Sequence, residues 1–392
     1  MSGKSELDIF RDISPQVVAE SAHFQDVHPT TALDATTSII DFSIQSSNVE
    51  YLDLNDTLIS LRLKVVKGDG TNIKAGDALH PVPSNYFLNA LFSDVSLSLN
   101  DTVIEGGNSM YPYKATIENA LNFSDDARML QLLPAGYSDD EDERKGWIDE
   151  SKEFELAGTL HLDFLNQPKY LVPGVSVHIR LQRATETFAL HMPDGSIHDG
   201  ASTWKIIINQ CILYVRRVKV NPHVITGHEH GFARKKLAMY PYQRTSVITY
   251  TIPTGSTSFI KENIFSNALL PKLLILGMVK SKAYTGSYDD KPFNFEHFKV
   301  NQVALYRDGQ AVPYKRAYNP SFTAAKKLCT DVYVRSLIHS LQFLNTNNTL
   351  GITMSEFKEG GYGFYIYNLA AYFDYKCMQK YKDNNPRLQL RY

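Results

Sequence analysis

A series of landmarks occurs twice in this chain, in the same order and at a nearly constant spacing. Thr37-Ser-Ile-Ile-Asp-Phe-Ser-Ile44 matches Thr245-Ser-Val-Ile-Thr-Tyr-Thr-Ile252, 208 residues later. Val95 corresponds to Val303 at the same spacing, and Pro112-Tyr113-Lys114 recurs as Pro313-Tyr314-Lys315, 201 residues on. Residues 160–164 correspond to 365–369, and 179–183 to 388–392. Chance does not keep five landmarks collinear, so the chain reads as two units of one architecture.

Those units are built of strands. Ile59, Leu61, Leu63 and Val65 alternate with polar residues, as do Val95, Leu97 and Leu99, and Val175, Val177, Ile179 and Leu181. Successive side chains of a strand point to opposite faces, so each run has one face on a core. Turn residues separate the runs at Gly68-Asp69-Gly70, Asn100-Asp101, Pro173-Gly174, Asp308-Gly309 and Gly360-Gly361. Two stretches break the rhythm. In 113–133, Ile117, Ala120 and Leu121 recur at helical spacing, and Ser124 before Asp125-Asp126 reads as an N-cap. In 322–341, Leu328, Val332, Val334, Leu337, Ile338 and Leu341 predict a second amphipathic helix.

The expected fold is all-β: two tandem jelly-roll β-sandwiches, a double jelly roll, each with an inserted helix. The boundaries are an N-terminal arm at 1–28, a first jelly roll at 29–220, a connector at 221–240 and a second jelly roll at 241–392. Each helix is expected just after its Pro-Tyr-Lys turn, and 133–155 is expected to be a long loop. In the first copy the strand ending at Arg183 is followed by the apolar run 204–220, whereas its counterpart ends at Tyr392. The second sandwich is therefore expected to be one strand short beside 388–392, the chain being cut short or another segment filling the place. The N-terminal arm, expected to order only on assembly, is one such segment.

Charge and composition narrow the function. Forty Lys and Arg against 42 Asp and Glu leave a net charge of −2, which argues against a chain that works by neutralising phosphate or coating an anionic membrane. The apolar stretch 268–279 is short and holds Lys272, so no membrane span is expected, and no apolar segment follows Lys4 to make a secretory signal. Cys211, Cys329 and Cys377 are few and far apart, which fits a reducing compartment and neither a disulfide scaffold nor a zinc ribbon.

No stretch reads as an active site, a metal site or a cofactor site. His223, His228 and His230 cluster in the connector, but without a Cys or a ligand spacing a capped turn or short helix is expected there. Asp139-Asp-Glu-Asp-Glu143 lacks the turn glycine of a calcium loop and reads as a solvated acidic loop. Gly360-Gly-Tyr-Gly363 lacks the Lys-Ser/Thr of a phosphate loop and reads as a turn leading into a strand. Arg216-Arg217-Val-Lys219 and Arg234-Lys235-Lys236 are too short, and too poor in stacking aromatics, for nucleic acid; surface charge or subunit contact is expected.

A longer collinear series carries a family resemblance. Arg216-Arg217-Val-Lys219-Val, Tyr240-Pro241, Tyr250-Thr-Ile-Pro253, Glu262-Asn263-Ile-Phe265-Ser266 and Leu270-Pro271 are followed by Tyr284-Thr-Gly286-Ser-Tyr288, Pro292-Phe-Asn-Phe295 and Ala304-Leu-Tyr-Arg-Asp-Gly-Gln310. With Asp8-Ile-Phe10, Tyr111-Pro-Tyr113 and His178-Ile-Arg-Leu181, this series resembles the hexon-like major capsid proteins of Polinton (Maverick) elements and adintoviruses. The resemblance implies a structural protein and not an enzyme. It implies homotrimers with a pseudo-hexameric outline that tile an icosahedral capsid around double-stranded DNA, with a single jelly-roll penton protein as partner and the virion as location. A tandem repeat suits that geometry, since three copies of a duplicated unit supply near-sixfold packing. The competing reading is a non-viral double jelly roll that binds or hydrolyses glycans.

Overall fold

The structure, a computed structural model, describes residues 18–34, 37–74, 76–77, 79–262, 264, 271–307, 309–323, 326–341, 350–369 and 387–391. It is mostly β with some helices. The first half runs through β1 (Ala19–Val27), β2 (Ile39–Ile44), β3 (Glu50–Lys67), β4 (Phe92–Leu99) and β5 (Thr102–Glu105). Helices α1 (Tyr111–Asn122), α2 (Asp125–Gln131) and α3 (Glu141–Trp147) follow, then β6 (Phe154–Thr159), β7 (Val177–Arg183) and β8 (Trp204–Val220). Helix α4 (Pro222–Ala233) leads to β9 (Ser258–Lys261), β10 (Leu273–Leu276), β11 (Gln302–Arg307) and β12 (Gln310–Val312). After α5 (Thr330–Tyr333), a π-helical turn at Val334–His339 and α6 (Met354–Glu359) come β13 (Tyr365–Asn368) and β14 (Arg387–Arg391).

Two four-stranded antiparallel sheets, ordered β1-β8-β3-β6 and β2-β7-β4-β5, make the first half. Their inward residues share one core: Ile59, Leu61, Leu63 and Val65 of β3 face Ile179, Leu181 and Leu97 from the other sheet, all without solvent exposure. The second half repeats the second of these orders as β9-β14-β11-β12, and pairs β10 with β13. The register repeats too. Leu181 stands between Ile40 and Val95, as Leu390 stands between Phe259 and Val303. The β4–β5 hairpin turns through Asn100 and Asp101, both at positive φ, the twist that a two-residue hairpin needs.

Helix α1 is buried almost all round because two cores claim it. Tyr111 and Ala115 belong to the first core; Tyr113, Ala120 and Leu121 belong to the second, with Phe295, Val303 and Tyr365. Phe123 is extended and ends α1, and the Ser124 side chain then accepts from the Ala127 N–H at 3.3 Å, restarting the chain as α2.

Several expectations fail for reasons of pairing. Among the described residues, 245–252 form no ladder, and β9 takes the place beside β14 that β2 takes beside β7. β14 pairs with β9 on one edge and with β11 on the other, so the open place expected beside 388–392 is not there. Residues 160–164 are a buried turn and not a strand, the strand being β6 just before them. The backbone N–H groups of Asp163 and Phe164 donate to the Glu105 carboxylate at 3.0 and 3.2 Å, which removes the need for a neighbouring strand. Pro112 lies in the first turn of α1 and not ahead of it. Its counterpart Pro313 sits in a turn, and no helix follows until Thr330. Residues 321–323 pair instead with 326–328 as a short hairpin, and Leu328, assigned to the apolar helix face, is 67% exposed. The expected loop 133–155 is largely helical. Finally, the arm expected at 1–28 includes β1, which is already laddered on β8 from Ala19 to Val27; residues 1–17 lie outside the described residues.

Candidate functional site

The histidine segment is α4. Asn221 caps it, its side chain accepting from the His223 N–H at 3.0 Å, with Pro222 in the first turn. No residue of α4 is buried, and the His228 ring Nδ1 lies 2.6 Å from the Tyr51 hydroxyl. Among the described residues no group of three His, Cys, Asp or Glu side chains stands close enough to hold a metal ion. The Gly360-Gly361 turn, with Gly361 at φ 80°, leads from α6 to β13. Cys211 and Cys329 are buried, and burial pushes the Cys211 thiol up to about 12. Cys377 lies outside the described residues.

Two charged motifs differ from expectation. The acidic run 139–143 starts a helix: Asp140 caps α3 by accepting from the Asp142 N–H at 2.9 Å, and carboxylates in the first turn meet the positive end of the helix. Arg216 and Arg217 are spent within the fold on β8. Arg216 bridges Asp53 at 3.1 Å and also Asp56. Arg217 is buried, its guanidinium donating to the Gln45 carbonyl at 2.8 Å and to Gln25. By contrast Arg234, Lys235 and Lys236 are exposed.

The polar groups that matter most lie on the seam between the halves. The Arg128 guanidinium, 0% exposed, reaches from α2 to the second half. Its Nη2 donates to Glu356 at 3.3 Å, to Asp125 at 3.1 Å and to the Gly351 carbonyl, while the group lies 5.6 and 5.2 Å from the Tyr137 and Tyr362 ring centres. A Cβ on Gly351 would sit 2.2 Å from the Phe123 carbonyl oxygen, so only glycine lets the backbones approach this closely. Farther along the seam, Lys291 bridges Glu141 and Asp194, each at 2.8 Å, and the Met192 N–H donates to the Tyr288 carbonyl at 2.6 Å. His191 is buried beside this group, its Nε2 3.3 Å from Arg144 Nη1.

One juxtaposed carboxylate pair bears on the glycan reading. Glu105 and Asp163 approach Lys114 Nζ at 2.6 and 2.7 Å, all three nearly buried. Burial opposes the lysine charge, but the Glu118, Asp163 and Glu105 carboxylates outweigh it and hold the ammonium above the ordinary lysine range. The pair is thus occupied within the fold by Lys114 and by backbone N–H donors. The local pattern does not disclose these groups: Lys114 and Lys315 occupy matching motifs, yet Lys114 is buried and Lys315 exposed. An unbroken Ser124-Asp-Asp-Ala-Arg128 turn was the one visible signal for Arg128.

The surface has a different character. Between α4 and β9 the segment 234–257 crosses the molecule without a ladder, and Leu237, Met239, Ile248 and Tyr250 are exposed on it. It is tied down at Tyr240 and Tyr242, which pack on Phe164, and at the Thr245 N–H, which donates to Asp163. Such a segment offers apolar contact area beside the exposed cations of Arg234, Lys235, Lys236 and Arg244.

No protein-family model matches the chain. An uncharacterized protein of Caenorhabditis elegans is 23% identical over 341 residues, covering 84% of this chain and 80% of its own. Among solved structures, the PBCV-1 virus capsid aligns with a TM-score of 0.55 at 14% identity, over 98% of this chain and 86% of its own. The Sputnik virophage structure aligns with a TM-score of 0.51 at 12% identity, over 98% and 84%. The chain therefore has a viral major-capsid-protein-like fold, shared with neighbours of double jelly-roll type.

Proposed function

We propose that this chain is a structural capsid subunit of the kind borne by Polinton elements and adintoviruses, forming homotrimers that tile a shell around a double-stranded DNA genome, with no catalytic turnover. The observation that carries the reading is that the likeness to the PBCV-1 capsid runs through 98% of the chain, both halves together. The repeated sheet order supports it, since a trimer of duplicated units packs as a near-hexagon. A single jelly-roll penton protein would close the vertices, and the virion would be the working location. In solution the protein is expected at three times the 44.3 kDa chain mass, read by size-exclusion chromatography with light scattering, and electron microscopy should show sheets or shells. A monomer that persists at micromolar concentration, whatever the salt, counts against the reading.

The same reading makes residues 29–220 and 241–392 two jelly rolls joined by 221–240. β10 and β13 then stand where β3 and β6 stand, and the far edge of β3 carries β8 and β1. Among the described residues β10 pairs with β13 alone. We place a further strand on that open edge, from another segment or another copy, because an unpaired apolar edge invites a further strand to pair with it. Amide exchange at Leu273–Leu276 is expected to slow by at least about tenfold on assembly; exchange as fast in shells as in free subunits would leave the edge unfilled.

A further inference from the structure

We propose that the basic segment 234–244 of one copy docks on the α2–α3 face of a second copy, head to tail. The inference rests on the self-assembly reading and specifies the surfaces it uses.

The segment has two properties that seldom coincide on a free surface. It is apolar where water reaches it, with Leu237 83% and Met239 69% exposed. It is also cationic: Arg234, Lys235, Lys236 and Arg244 are all exposed, and no Asp or Glu occurs from Gly231 to Lys261. Among the described residues these four cations form no ion pair.

The α2–α3 region is the complement. Met129, Leu130 and Leu133 are exposed there, Leu130 at 77%. The same stretch of chain carries exposed carboxylates at Asp126, Asp139, Asp142 and Glu143. Asp126 and Asp142 pair with no cation among the described residues. Each surface leaves apolar side chains in water beside charge of one sign, which marks an interaction site more than a solvated face. Opposite signs favour their meeting and disfavour like with like. Among the described residues no ion pair or side-chain hydrogen bond joins the two within a chain, and their opposite charge fits them to each other across two copies. Two different patches meeting make a heterologous contact, and such contacts close into a ring when the rotation allows, as a trimer requires.

The test is a charge exchange on the full chain. Lys235→Glu with Lys236→Glu reverses the segment, and Asp126→Lys with Asp142→Lys reverses the face. Both pairs are solvent-exposed, and unchanged thermal unfolding would verify the fold. Each double variant is expected to raise the concentration at half-assembly at least about tenfold in sedimentation velocity, while all four changes on one chain return it near the parent value. Assembly of both double variants at the parent concentration would overturn the docking and leave the capsid reading standing. Failure of the fourfold variant to recover would also overturn it. A parent protein that stays monomeric would remove both readings together.

Discussion

Arg128→Met is expected to cost about 3–5 kcal/mol and to let the second half unfold before the first, the range for removing one partner of a buried ion pair. The side chain is fully buried, and its loss leaves the Gly351 carbonyl without its donor and the Glu356 carboxylate with only the Thr353 N–H. Asp125 contributes little, since it is largely exposed. Methionine fills much of the volume but offers no donor. Arg128→Lys should recover only part of the loss, because an ammonium has no flat face to lay against Tyr137 and Tyr362 while it donates to Gly351. Urea unfolding followed by tryptophan fluorescence and far-ultraviolet dichroism reads both effects, since Trp147 and Trp204 both lie in the first half. One coincident transition within about 0.5 kcal/mol of the parent would show that Arg128 does not fasten the halves.

Acid should loosen the same seam through His191. Burial is the main cause that pulls its imidazolium pKa down to about 4, with the Arg144 and Lys291 charges acting in the same direction, against the Met192 carbonyl and Glu141. An unfolded histidine binds its proton near 6.5. Between those values the unfolded state holds more protons than the folded state, so stability is full above pH 6.5 and is lost as pH falls through 4. The difference corresponds to about 3 kcal/mol. Denaturant titrations from pH 7.5 to 4 should show that loss, and His191→Gln should flatten the slope in this window. Equal slopes in the two proteins would assign the acid sensitivity to other groups.

The strands with regular alternation were legible because burial there follows a period of two. The inward residues of β3, β4 and β7 are those that the pattern selects, and the α1–α2 break at Ser124 is a local capping event. Position was not legible in the same way. Residues 245–252 have the composition of a strand and form no ladder among the described residues, because a strand exists only beside a neighbour. Residues 160–164 carry the alternation, yet form a turn because Glu105, far away in sequence, supplies their hydrogen bonds.

Charges divide along the same line. The exposed cations 234–236 could be read directly, since nothing distant alters them. Arg128, Arg217, Lys114 and His191 could not, because burial and partners come from segments far away along the chain. Local pattern thus dictated which residues face inward and where the chain turns. Only the packing of the halves decided which charges are buried, which edge stays open and which apolar side chains remain in water, since those depend on contacts that no short stretch of sequence contains.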